Sequence, residues 1–281
     1  GMTYICIRSA EHTSIADYTP EEVRTVLLPK LQAAGVGVSS LGTAIGKVEV
    51  DDEEGFAKQL EQLETLCETA KLLDCSFIRM FSFLIPKDAD ADSYTDVVLD
   101  KLRQFIRIAE KHDIVLLHEN EKGIYGDTGA RCKLLFDRLA CPHFKAAFDF
   151  ANFVQCEQDT AECWELLHDQ IAYIHIKDAL PGYLLNVPAG TGLGKIPELL
   201  RRAFCEEGYH GFLTLEPHLA MFDFFAPGAK GGKSQKLQFE NNPIVEKMKS
   251  EMAEPGRPKD GAEAYATQYH ALVEILNPIL N

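Results

Sequence analysis

The chain reads as an α/β protein of the TIM-type β/α-barrel class. Three observations predict this: short Val, Ile and Phe-rich runs alternate with longer amphipathic stretches, seven such units follow one another, and acidic or histidine residues recur where those runs end. The predicted strands are Tyr4 to Arg8, Val36 to Ser40, Phe77 to Phe83, Ile114 to Glu119, Phe144 to Asp149, Ile171 to Lys177 and Phe212 to Glu216. A helical pattern follows each. In Glu53 to Leu73, Phe56, Leu60, Leu63, Leu66 and Ala70 recur at three- and four-residue steps and form one apolar stripe. Thr19-Pro20-Glu21-Glu22 supplies an N-cap oxygen, a proline suited to the first helical position and carboxylates for the first turn; Ile196-Pro197-Glu198 resembles the same device.

A barrel of this class has eight strands, and seven are readable before the C-terminal helix predicted at Ala262 to Leu276. The expectation is one barrel domain over 1–281 that lacks the first βα unit, with its open seam covered by another element or by a second subunit in a homo-oligomer. Between about Asp223 and Gly261 the periodicity gives way to Ala226-Pro227-Gly228 and Lys230-Gly231-Gly232-Lys233. This stretch is expected to be a loop excursion, either a mobile cover or a surface insertion.

The 281 residues are 46% hydrophobic, enough for a sizeable core. Forty-three acidic residues against 28 basic ones give a net charge of −15, so nucleic acid and anionic membranes are disfavoured as partners. No long apolar run or charged-then-apolar leader is present, and the cytoplasm is the expected compartment. Gly1 ahead of Met2 reads as a cloning remnant. The eight cysteines lack CxxC spacing and read as reduced thiols.

Side chains alternate faces along a strand, so in Val115-Leu116-Leu117-His118-Glu119 the acid shares a side with residues 115 and 117, while His118 points the other way as a core histidine. Asp149 in Ala147-Phe148-Asp149, His175 in Tyr173-Ile174-His175-Ile176-Lys177 and Glu216 in Phe212-Leu213-Thr214-Leu215-Glu216 occupy the same kind of position. The steps from 119 to 149, 149 to 175 and 175 to 216 are 30, 26 and 41 residues, about one βα unit each with an added loop in the last. Three carboxylates in one mouth repel each other, so a divalent cation is expected among Glu119, Asp149, His175 and Glu216. This oxygen and nitrogen donor set suits Mn²⁺, Mg²⁺, Co²⁺ or Zn²⁺.

Other residues are candidates for substrate contact. Lys177 lies two residues past His175 on the same face, where it could polarise a substrate oxygen, offset the carboxylates or pair with Asp178. Asn152, His218 and Glu121 follow ligand candidates closely and could hydrogen-bond hydroxyl groups or cap loops. Arg8 and Arg79 sit at or near the ends of apolar runs and either face the mouth or pair with a carboxylate. The run Gly190-Thr191-Gly192-Leu193-Gly194-Lys195 precedes a helix and reads either as backbone phosphate contact or as a flexible connection; Ile196, where a P-loop has Ser or Thr, excludes that motif.

Leu117-His118-Glu119-Asn120-Glu121, Phe148-Asp149-Phe150-Ala151-Asn152, His175-Ile176-Lys177-Asp178 and Leu215-Glu216-Pro217-His218, in this order, resemble the sugar phosphate isomerase/epimerase family of xylose-isomerase-like TIM barrels. The resemblance covers nearly the whole chain. It implies a metal quartet of Glu119, Asp149, His175 and Glu216, with Glu119 and Glu216 doubling as acid/base groups. It also implies a sugar or sugar phosphate as substrate, isomerised or epimerised by proton transfer through a metal-stabilised enediolate. Lyase chemistry on a cyclic polyol or dehydroshikimate-like substrate would use the same groups, and a catalytically silent sugar- or metal-binding barrel is a further reading. The DNA-cleaving branch of these barrels needs additional histidines; Asn152 stands where it would place one, and none ends the strands at Val36 or Phe77.

Overall fold

The computed structural model describes residues 2–219 and 243–280. Seven strands form one sheet whose order follows the chain: β1 (Tyr4–Ile7), β2 (Gly37–Gly42), β3 (Phe77–Met80), β4 (Val115–Glu119), β5 (Phe144–Asp149), β6 (Ile171–Ile176) and β7 (Phe212–Leu215). The four pairs from β1 to β5 are parallel. Every strand expected from the sequence is present; Phe144–Asp149 has the expected ends and the others differ by one to three residues. The largest change is after Met80: Phe81, Phe83 and Leu84 donate their N–H groups to Ile45, Gly46 and Val48, and Phe83 takes a left-handed φ of 69°. A bulky residue in that conformation cannot continue a strand, so β3 stops short of Phe83.

The chain divides into two compact units, Gly1–Phe148 with Cys163–Ile174, and Asp149–Glu162 with His175–Asn281. The boundary falls inside β5 and inside β6, so the last residue of β5 and the last two of β6 belong to the second unit.

In the first unit, Thr19 caps its helix with a full capping box: its hydroxyl accepts from the Glu22 N–H, and the Glu22 carboxylate accepts from the Thr19 N–H at 2.8 Å. The helix Glu53–Leu72 starts on the Asp52 carboxylate, which accepts from the Gly55 N–H at 2.9 Å. It buries Phe56, Leu63, Leu66, Cys67 and Ala70, the expected stripe except that Leu60 is half-buried. Phe56 packs edge-on against Phe83 and Phe105, and Phe83 stacks on Phe105 at 5.7 Å. The ammonium of buried Lys101 lies 4.6 Å from the Phe56 ring, donates to the Val50 carbonyl at 2.9 Å and pairs with Glu53 at 2.7 Å. A charged end is tolerated there because cation–π, carbonyl and carboxylate contacts replace its water.

In the second unit the helix Ile196–Cys205 has Pro197 in its first turn as expected, but no side chain caps it; Lys195 at the cap adopts a left-handed φ of 53°. The expected loop excursion is only partly within view, since 220–242 lie outside the described residues. Residues 253–260 form turns and irregular chain before the last helix, but over 243–252 the expectation is corrected: Pro243–Met252 is a helix. Its buried Glu251 accepts from the N–H groups of Leu184 and Leu185 at 3.0 and 2.8 Å, and Arg257 donates to the Asn186 carbonyl at 2.5 Å. The Pro-Gly-rich composition hid a stretch fixed by two charged anchors. The final helix runs Gly261–Leu280, longer than the pattern suggested. No helix of the described residues is long and apolar enough to cross a membrane.

No disulfide joins any of the eight cysteines. Burial pushes the Cys67 thiol up to about 12 and the Cys75 thiol up to about 11, whereas Cys205 is exposed. Under native conditions at pH 8, a thiol reagent followed by peptide mapping is therefore expected to mark Cys205 and to leave Cys67 and Cys75 unmodified until denaturant is added. Modification of Cys67 in the folded protein at the rate of Cys205 would contradict the packing of the Glu53–Leu72 helix.

Candidate metal centre

In the second unit, Asp149 ends β5, His175 is the penultimate residue of β6, Lys177 follows that strand, and Glu216 follows β7. Asp149, His175 and Lys177 are buried and Glu216 is half-buried. Asp149 divides its two oxygens between tasks. Oδ1 accepts from the Asn152 N–H at 2.8 Å and so caps the helix Phe150–Gln155. Oδ2 lies 2.7 Å from Lys177 Nζ and 3.9 Å from His175 Nδ1. Glu216 likewise has Oε1 at 3.5 Å from His175 Nδ1 and Oε2 at 3.1 Å from Lys177 Nζ. One ammonium thus touches two carboxylates whose other neighbour is the same imidazole.

Glu119 ends β4 in the first unit and is buried there beside Arg79, whose Nε is 3.2 Å from Glu119 Oε2. The Arg79 guanidinium also lies over the Phe81 ring at 4.6 Å. Of the two alternatives for Arg79, carboxylate pairing is what the fold provides. His118 is a core histidine as alternation requires: its Nε2 is 2.9 Å from Ser82 Oγ, it packs between Phe136 and Phe144, and burial pushes its imidazole down to about 4.

Within the second unit, ligand atoms of Asp149, His175 and Glu216 lie within 4.8 Å of one another. Two carboxylates and one imidazole at this spacing are a donor set that fits a divalent cation such as Mn²⁺, Mg²⁺, Co²⁺ or Zn²⁺, and do not resemble a thiolate site.

The remaining candidates fall differently. Asn152 is buried in the first turn of the helix that Asp149 caps. His218 is exposed, with Nδ1 3.7 Å from Glu216 Oε2. Glu121 pairs with Lys47 at 2.6 Å, and Arg8 is exposed just past β1. Lys177 does not pair with Asp178, the alternative weighed from the sequence. The Asp178 carboxylate is fully buried and accepts from four backbone N–H groups: Ala179 and Gly194 on Oδ1 at 2.9 and 2.8 Å, Gly190 and Gly192 on Oδ2 at 2.9 Å each.

Both readings of the glycine-rich run are thereby corrected. The N–H groups that would cradle a phosphate already hold an internal anion, and a loop pinned to Asp178 at three points is not a flexible connection. A Cβ on Gly192 or Gly194 would stand 2.4 or 2.8 Å from Asp178 Oδ1, so both positions require glycine for close approach. The role of Asp178 escaped sequence reading. Its signal was an acid 12, 14 and 16 residues ahead of three alternating glycines (178 to 190, 192 and 194).

A sequential parallel sheet with flanking helices, and carboxylate and histidine residues at its strand ends, defines a β/α barrel. The profile of the xylose isomerase-like TIM barrel family matches residues 1–232, and the chain belongs to that family. The probable L-ribulose-5-phosphate 3-epimerase UlaE of Mycoplasma pneumoniae is 23% identical over 141 residues, which are 49% of this chain and 45% of that protein; the match spans less than half the relative's length. Among solved structures, the IolI protein with a bound zinc atom superposes with a TM-score of 0.68 at 17% identity, over 99% of this chain and 89% of its own. A D-tagatose 3-epimerase-like protein does so with a TM-score of 0.65 at 18% identity, over 76% and 81%.

Replacing Asp178 by Asn keeps one acceptor but turns an amide NH₂ toward two of the four N–H groups. Loss of roughly 2–5 kcal/mol is expected, seen as a lower urea midpoint with an unchanged slope. A midpoint equal to that of the unaltered protein would mean that the three glycine contacts do not hold the loop.

Proposed function

We propose that this protein is a divalent-metal-dependent isomerase or epimerase of a sugar or sugar phosphate, with Glu119, Asp149, His175 and Glu216 as the metal ligands. The observation that carries the reading is the gathering of Asp149, His175 and Glu216 within 4.8 Å of one another, in a chain of the xylose isomerase-like family whose fold is shared by a zinc-bound structural neighbour; Glu119, buried at the end of β4, is the fourth ligand in this reading. The epimerase named for the curated relative and the one named for the structural neighbour support the same chemistry.

A divalent ion bound there would supply positive charge next to a substrate carbonyl, making the adjacent C–H more acidic. Glu119 and Glu216 are the groups assigned to the proton itself. Each ends or follows a different strand, so one carboxylate takes the proton from carbon and the other returns it on the opposite face. Arg79, 3.2 Å from Glu119, fixes the orientation of that carboxylate. Lys177, 3.1 Å from Glu216, does the same for the second one and stands where a substrate oxygen could approach it. Asp149 and His175 are held by the helix cap and by burial, and serve to position. Arg8, Asn152, Glu121 and His218 are assigned to the substrate's hydroxyl groups, with His218 the exposed member at the rim.

Incubating the Mn²⁺-loaded protein with a panel of ketoses and ketose phosphates in D₂O tests this directly. Deuterium is expected at the carbon beside the carbonyl, and Glu119→Gln and Glu216→Gln are each expected to slow its incorporation about 10²-fold or more. If both variants bind Mn²⁺ and exchange at the full rate, the two glutamates are not the acid and base. Water loss with formation of an unsaturated product would replace epimerisation by a lyase reaction, and silence across the panel would leave a binding protein.

A further inference from the structure

Asp149 has a single oxygen to offer, because Oδ1 is committed to the Asn152 N–H, and the remaining Oδ2 is held by Lys177 at 2.7 Å. Glu216 offers Oε2 to the same ammonium at 3.1 Å, with Oε1 on the His175 side. Lys177 is itself buried, only 6% exposed, so its charge is compensated by these contacts rather than by bulk water. The ammonium therefore sits on the same carboxylates that a divalent ion needs.

We propose that Lys177 is the built-in counter-ion of this site: it neutralises Asp149 and Glu216 when no metal is bound and competes with the metal for them. The inference rests on the assignment of Asp149 and Glu216 as metal ligands. It has two linked consequences. Without a cation, the buried Asp149 and half-buried Glu216 carboxylates would repel each other at a cost in desolvation; the lysine offsets that cost and keeps the metal-free site in its binding geometry. With a cation present, the ammonium is a like charge beside it and must draw back from at least Oδ2 of Asp149, which weakens metal affinity and makes the loss of metal reversible without unfolding. The withdrawn ammonium is then available to a substrate oxygen.

The full chain, stripped with chelator, is titrated with Mn²⁺ in a calorimeter, and its thermal midpoint is recorded in chelator. Lys177→Met is expected to bind Mn²⁺ about tenfold tighter or more, since a like charge has gone, and to melt several degrees lower when metal-free. Lys177→Arg keeps the charge and should retain near-original affinity. In Lys177→Met/Glu216→Gln, where both charges are removed, the metal-free midpoint should recover relative to Lys177→Met. Unchanged or weaker Mn²⁺ binding by Lys177→Met overturns the proposal while leaving the metal site standing. Absence of Mn²⁺ binding in every form overturns both. Should Lys177→Met fail to fold, the double variant decides: folding supports charge neutralisation, and failure assigns the lysine to packing and ends the proposal.

Discussion

The constraint on which the site depends is that Asp149 and Glu216, two acids with little water around them, share one ammonium. Isolated carboxylates at this depth would each cost several kcal/mol, and their mutual repulsion would push the strand ends apart. Lys177 is placed to prevent this by the geometry of β6, because a residue two positions past His175 returns to the same face. The cation and the imidazole are therefore delivered together by one strand. The first unit solves the same problem for Glu119 with Arg79, one residue before the end of β3 and braced on Phe81. Each acid assigned to proton transfer thus has a basic neighbour from an adjoining strand of the sheet.

Asp149 and Asp178 show how the same side chain is steered to different ends by the backbone around it. Both are fully buried and both follow apolar strand runs. Around Asp178, four N–H groups converge and satisfy both oxygens, which leaves the residue with a structural task. Around Asp149 a helix start takes one oxygen, and the other is directed at Lys177 and His175. The number of backbone donors within reach separates the scaffold acid from the functional one; burial alone does not.

This difference also explains what was legible beforehand. Strand positions follow from runs such as Phe144 to Asp149, which need to be apolar on both faces of a covered parallel sheet and so announce themselves. The four donors are legible because strand ends in this class converge, so a chemical residue type at each end is informative. The Glu53–Leu72 helix is legible because its stripe and its Asp52 cap agree. By contrast, Lys177 could be read either as offsetting the site carboxylates or as pairing with Asp178, and the choice between them could not, since sequence nearness to Asp178 says nothing about which carboxylate has already been satisfied by N–H groups. The helix Pro243–Met252 lay next to glycine- and lysine-rich sequence, and the Leu184 and Leu185 groups that anchor its Glu251 are 67 and 66 residues away in the chain.

Substrate phosphorylation can be argued one step further on the same physical ground. Barrels that hold a phosphate do so with N–H groups pointing into the solvent at a helix start. Here the helix Ile196–Cys205 is preceded by such a loop, but Gly190, Gly192 and Gly194 turn their N–H groups inward onto Asp178. A dianion placed outside that loop would face donors already shared with a buried carboxylate and would be repelled by it. The glycine-rich run therefore lends no support to a phosphorylated substrate. If the substrate does carry a phosphate, its charge has to be met by side chains, and Arg8, exposed just past β1, is the cation among the assigned substrate contacts to examine first.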